Sequence, residues 1–192
     1  MDDAIRRILM LPAIEAAPLI LGMGLYVDDV GGRIAEVEAY MEDDPASHCY
    51  GGPRGRNHPM FLAGGHVYIY RSYGVHWCMN LVTGPEGRGE AVLIRALEPL
   101  RGIDSMRQRR PNIRDDRLCS GPGNLARALG ATGDLSGTKL GKRIIIRHER
   151  KPSKVVSSPR IGITKAADRN WRFCDEESRS LSRNMKIGKN PS

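Results

Sequence analysis

Residues 33–40 read RIAEVEAY and residues 66–82 read HVYIYRSYGVHWCMNLV, and these two stretches decide the fold. Side chains alternate across a strand with a period of two. In the first stretch that puts Ile34, Glu36, Glu38 and Tyr40 on one face and Ala35, Val37 and Ala39 on the other. The small apolar face belongs on a core. The other face carries two acids and a ring, which is unusual for a strand that is simply buried. The second stretch predicts strands at 66–70 and 76–82 around a turn at Arg71-Ser72-Tyr73-Gly74, with the Tyr73 ring projecting from the hairpin tip.

Upstream, DDAIRRILM at 2–10 predicts a short amphipathic helix with acids in its first turn. A strand is expected at 19–27, joined to 33–40 by a hairpin turn in DDVGG. Residues 41–63 are rich in glycine and proline and read as a long loop anchored by His48, Met60 and Phe61; long loops inside compact domains are usually functional or disordered, and those anchors favour function. Downstream, AVLIRAL at 91–97 is a near-continuous apolar strand interrupted by Arg95. A helix is expected at 103–110, and SGPGN at 120–124 leads into a second that stops at Gly130. Strands are expected at 140–147 and 158–163, a domain over 1–178, and a disordered basic tail over 179–192.

At 192 residues the chain suits one domain with a real core. It carries 30 Lys and Arg against 22 Asp and Glu, a formal net charge of +8, which favours a polyanionic partner, DNA or RNA. The cysteines at 49, 78, 119 and 174 are far apart and form no CxxC pair, against a zinc ribbon, a redox dithiol or an iron–sulfur cluster. The core does not need disulfides, so a reducing cytosol fits. Asp2, Asp3, Pro12 and Glu15 spoil a signal-peptide pattern, and the apolar run 16–27 is broken by Pro18, Gly22 and Gly24. The expectation is a soluble, cytoplasmic, monomeric protein with no membrane partner and no metal or other cofactor.

Glu38 on an inward strand face is open to three roles: general base, salt-bridge partner or solvated edge residue. Arg95, breaking an apolar strand, is a candidate to pair with it and keep it ionised, as a base must be. Tyr40, His48 and Tyr70 suit a slot for a flat heterocycle, with about 1–3 kcal/mol per stacked base, although tyrosines populate ordinary strands as well. Tyr73 is either a wedge between base pairs or a ring folded back on its own strand. Arg54, Arg56 and Arg71, with Arg107, Arg109 and Arg110, are candidate phosphate contacts or a solvated face.

Taken together and in order, EVEAY, ASHCYGG, RNHPMF, VYIYRSYGVHWCMN, AVLIRALEP, MRQRR and LCSGPGNL resemble the alkyladenine-type 3-methyladenine DNA glycosylases, from about residue 21 to 132 and onward through RIGI and WRF. The resemblance implies an α+β fold: a single mixed domain around a curved, mainly antiparallel sheet with a protruding β-hairpin. It implies an enzyme that flips damaged purines out of double-stranded DNA and hydrolyses the N-glycosidic bond, leaving an abasic site. By matched motif Glu38 resembles the water-activating base and Arg95 its positioning partner. Tyr40, His48 and Tyr70 resemble the base-stacking pocket, Tyr73 the side chain that fills the gap, and Asn80 the residue that rejects normal guanine. Arg54, between the two glycines before RN, and Trp77 depart from the family pattern and bear on substrate range. The competing readings are a non-catalytic binder of damaged DNA or RNA and a basic sheet protein with no nucleic-acid role.

Overall fold

Asp28 and Asp29 both adopt positive φ, 46° and 66°, and close a two-residue turn between Gly24–Val27 (β1) and Val30–Tyr40 (β2). Such a turn matches the right-handed twist of the strands it joins. The computed structural model describes residues 1–183. Ahead of the hairpin stand two helices, Asp3–Leu9 (α1) and Ala13–Ile20 (α2). The Asp2 carboxylate caps the first, accepting from the Ile5 amide at 2.9 Å. The strand expected at 19–27 thus begins only at Gly24. Its upstream part is the end of α2, whose Ala13, Ala16, Ala17 and Ile20 are buried at the spacing of one helix face.

The remaining elements are Val67–Ser72 (β3), His76–Val82 (β4), Ala91–Arg101 (β5), Ile103–Arg109 (α3), Pro122–Leu129 (α4), Ile144–Arg147 (β6), Val155–Ser158 (β7) and Arg172–Asp175 (β8). The strands pair antiparallel in the order β3-β4-β5-β2-β1-β6, with β8 on a second stretch of β2 and β7 on β8. The fold is α+β, with helices and one curled antiparallel sheet in a single domain, as the resemblance implied. Ile5, Leu9, Ile20, Ile34, Ile94, Leu97, Met106 and Leu118 are fully buried, each contributing about 1.5–3 kcal/mol by burial.

β2 is the central strand, and its alternation breaks once. Its register against β5 shifts between Ile34 and Val37, so Ile34 packs in the main core with Val37 and Ala39. Ala35 instead meets Cys174 and Leu181. The expectation that Ile34 shares a face with Glu36 is therefore wrong: an irregularity at this point exchanges the faces, and only Glu36, Glu38 and Tyr40 remain together on the site side. Gly32 is required nearby, because a Cβ there would stand 1.9 Å from the carbonyl oxygen of Glu98 on β5.

Further expectations change. The strand at 158–163 is instead β7, ending at Ser158; Pro159 has no N–H for a ladder, and 159–163 leave the sheet. The strand at 140–147 shortens to β6. The loop 41–63 ends in a 3₁₀ turn at Gly55–Phe61. The tail expected from residue 179 is packed as far as it is described: Ser180 and Leu181 are buried, and Ser182 bonds to a buried carboxylate. Residues 184–192 of that expected tail lie outside the described residues. All four cysteines are free and buried, and no helix among the described residues is long and apolar enough to cross a membrane.

Candidate active site

Glu38 is fully buried, and three donors converge on its carboxylate. The Tyr40 hydroxyl donates to Oε2 at 2.9 Å, Nη1 of Arg95 to Oε2 at 3.2 Å, and the Ile161 amide to Oε1 at 2.7 Å. Every one of these partners donates, so the arrangement suits a carboxylate. A carboxylate offers about four lone-pair positions, and these bonds leave Oε1 able to accept one more. Arg95 reaches Glu38 because β5 pairs with β2, with Glu38 opposite Leu93.

Behind Arg95 lies Glu36, also fully buried. Its Oε1 accepts from Nε of Arg95 at 2.9 Å and from Nε of Arg172 at 2.7 Å. Burial alone would raise the Glu36 carboxyl, but Arg95, Arg172 and the Ser182 hydroxyl together hold it below its ordinary value.

Above the acid opens a cavity of about 620 Å³. Tyr40, His48, Tyr70 and Asn80, four residues expected from the sequence, all line it. His48 and Tyr70 meet edge to face with centroids 4.4 Å apart, and Tyr68 stacks on Tyr70 at 5.5 Å. Nδ1 of His48 lies 3.0 Å from the Tyr68 hydroxyl. Burial, with Arg56 nearby, holds His48 below its ordinary 6.5, so the ring is neutral at pH 7. The Asn80 amide donates to the Tyr68 carbonyl at 3.0 Å, which fixes its side chain at the wall. The volume and the ring-rich lining suit one flat heterocycle.

Tyr73 sits at the tip of the β3–β4 hairpin with φ of 49° and is 93 % exposed; the folded-back alternative does not occur. Arg56 and Arg71 line the cavity with Arg95, and Glu38 lies just behind the lining, bonded to its Tyr40, Arg95 and Ile161. Arg54 is exposed and caps the Gly55–Phe61 turn, away from the cavity lining. On α3, Arg107 is taken up by Asp104 and Asp115, while Arg109 and Arg110 donate to backbone carbonyls. Trp77 lies outside this cavity, in a second groove with Arg109 and Arg127.

Several site residues escaped the sequence reading. Arg160 is wholly buried, ion-paired with Asp44, donates to the Ala39 carbonyl at 3.0 Å, and lies over the Tyr40 ring at 4.6 Å. It braces Tyr40 while the next residue, Ile161, bonds Glu38. Asn57 anchors the loop by donating to the His48 carbonyl at 2.7 Å. The run RIGI held the clue to Arg160 and Ile161, but read as a strand it hid their inward contacts. No group of His, Cys, Asp or Glu among the described residues is placed to hold a metal ion.

An acid with its guanidinium at the foot of a ring-walled slot suits hydrolysis at a single base. Such a base is out of reach inside a duplex stack, so it must be drawn out first. The class this defines is that of base-excising glycosylases. Residues 7–179 match the methylpurine-DNA glycosylase family, and the chain belongs to it. A relative in Rhodopseudomonas palustris is 52% identical over 170 residues, covering 88% of this chain and 82% of its own. One in Nitrosospira multiformis is 50% identical over 173 residues, 89% of each chain. A third, in Methanoculleus marisnigri, is 51% identical over 158 residues, 79% of this chain and 82% of its own. All three bear the provisional name 3-methyladenine DNA glycosylase. The protein is thus a DNA repair glycosylase, a hydrolase of N-glycosidic bonds.

Proposed function

We propose that this protein draws an alkylated or otherwise damaged purine out of duplex DNA and hydrolyses its N-glycosidic bond, with Glu38 activating the water. The observation that carries this is the placement of Glu38: its three donors, Tyr40, Arg95 and Ile161, all line the cavity. The remaining lone pair on Oε1 is where a water would be held. As water attacks the sugar carbon, its proton passes to Glu38. The glycosidic electron pair leaves with the purine. A ring-alkylated purine departs as a neutral base because it begins as a cation. General-base assistance of this kind supplies about 10²–10⁴-fold.

Tyr40 on one side and the His48–Tyr70 pair on the other stack on the extruded base, and Asn80 screens its exocyclic group. Tyr73 takes the vacated place in the helix. Extrusion costs a few kcal/mol and less for a weakened pair, so lesions are favoured before any contact is made. Arg56 and Arg71 meet the flanking phosphates. No lysine lines the cavity among the described residues, so no amine is at hand for a Schiff base and the strand stays intact. The protein acts as a monomer inside the cell, on DNA.

The test is excision from an alkylated duplex and from duplexes with one ethenoadenine or hypoxanthine. Free base must appear with an abasic site that breaks only on alkali treatment. Tight lesion binding without product would favour a non-catalytic damage binder instead.

A further inference from the structure

We infer that Glu36 and Ser182 are positioning residues for excision: they fix the Arg95 guanidinium, and residues 180–183 thereby become part of the active site. The inference rests on Glu38 and Arg95 acting as assigned above.

Each nitrogen of the Arg95 fork has its own partner. Nε donates to Glu36 at 2.9 Å, Nη1 to Glu38 at 3.2 Å, and Nη2 to Oγ of Ser182 at 3.3 Å. Ser182 in turn grips Glu36 twice, its amide donating to Oε2 at 2.6 Å and its hydroxyl to Oε1 at 2.6 Å. Ser182 contacts both charges, accepting from Arg95 and donating to Glu36. Neither Glu36 nor Ser182 lines the cavity, and the lining residue that both contact is Arg95. Their effect must pass through Arg95. The guanidinium is planar, so fixing two of its nitrogens sets the direction of the third. At 3.2 Å the bond from Arg95 to Glu38 is longer than the one from Nε to Glu36, and a turn of the plane weakens it.

The segment is held from several sides. Leu181 packs with Ala35 and Cys174, the Ser120 hydroxyl and Arg117 donate to the Leu181 carbonyl, and Arg172 donates to the Arg183 carbonyl. The family match ends at residue 179. Ser182 stands three positions beyond that match. A 1 Å displacement of a catalytic group can cost about 100-fold in rate, so a loose Arg95 has a measurable price.

The experiment uses the full chain with Ser182→Ala, Ser182→Thr, Glu36→Gln and Glu38→Gln. Single-turnover excision from an alkylated duplex yields a rate constant and an amplitude separately. Affinity is read on a duplex with a tetrahydrofuran abasic analogue, and folding by thermal melting. Ser182→Ala is expected to lower the rate constant about 10-fold at full amplitude and unchanged affinity, the loss expected from one hydrogen bond to a charged group. Ser182→Thr restores it. Glu36→Gln lowers it about 100-fold. A role in folding alone would reduce amplitude and melting temperature while the folded fraction kept its rate constant, and that result overturns the inference. So does a Ser182→Ala rate constant within about twofold of the parent. If Glu38→Gln excises at the parent rate, the base assignment itself fails; if Glu38→Gln is dead and Ser182→Ala is unaffected, only the positioning role fails.

Discussion

The phenol of Tyr40 donates to Oε2 of Glu38 across 2.9 Å, which ties a wall of the cavity to the carboxylate behind it. Two residues apart on one strand face, they are held from the same side. Arg160 lies over the Tyr40 ring at 4.6 Å, and the Ile161 amide donates to Glu38 at 2.7 Å. Burial, with the Glu38 charge beside it, pushes the phenol well above its ordinary value, so it remains a donor throughout the working pH range. On the proposed function, placing the base and aiming the water are thus parts of one rigid unit.

Substitutions at Tyr40 separate the two tasks. Tyr40→Phe keeps the ring and removes a donor from Glu38. Its single-turnover rate should fall about 10-fold or more with lesion affinity retained. Tyr40→Ala should also weaken lesion binding by about 1–3 kcal/mol, the worth of one stacking ring. Rates and dissociation constants for both variants check this.

Tyr73 makes a different demand. At 93 % exposure it contributes nothing visible to folding, so Tyr73→Ala should melt with the parent. Its excision rate on a paired lesion should fall about 10-fold, and the deficit should shrink when the lesion is mismatched and already half unstacked. Comparing the two duplexes under single turnover decides it.

The Arg160–Asp44 pair is wholly buried on both sides. Asp44→Ala leaves a guanidinium in the interior with the backbone carbonyls of Ala39 and Ala166 and the faces of Tyr40 and Trp171. It should cost about 3–5 kcal/mol in urea unfolding, as breaking a buried pair does. Excision should fail with it, because the same residues seat Tyr40 and Ile161.

Acid should unfold the protein through three carboxyls. Burial by itself would raise Glu36, Glu98 and Asp175. Arg95 and Arg172 beside the first, and Arg33 beside the other two, outweigh it and leave all three below their ordinary values of 4.5, 4.5 and 3.8. Groups depressed in the folded state stabilise it above their unfolded values and lose that contribution as pH falls through the folded ones. Unfolding free energy should therefore hold from pH 7 down to about pH 4.5 and decline below it. Glu98→Gln should make the decline shallower, which urea titrations across that range measure.

Much of this was legible before the coordinates. The alternation in RIAEVEAY put Glu36, Glu38 and Tyr40 on one face, and the turn residues around Tyr73 put its ring at a tip. Arg95 inside an apolar strand pointed to a buried partner. These are local signals, each fixed by period or by turn chemistry. The shift between Ile34 and Val37 was hidden because irregular pairing depends on the partner strand. The bonds from Arg160, Ile161 and Ser182 were hidden for the same reason: their acceptors lie more than a hundred residues away. Ala13–Ile20 is a different failure, since its helical spacing was present in the sequence and the apolar run obscured it.

The central claim is that Glu38 activates the attacking water, and Glu38→Gln tests it most directly. The amide can still accept from Arg95 or from the Ile161 amide, but it cannot take a proton from water. Single-turnover excision from an alkylated duplex should fall by about 10²-fold or more while the variant still binds that duplex at parental affinity. Excision at the parental rate would contradict the account.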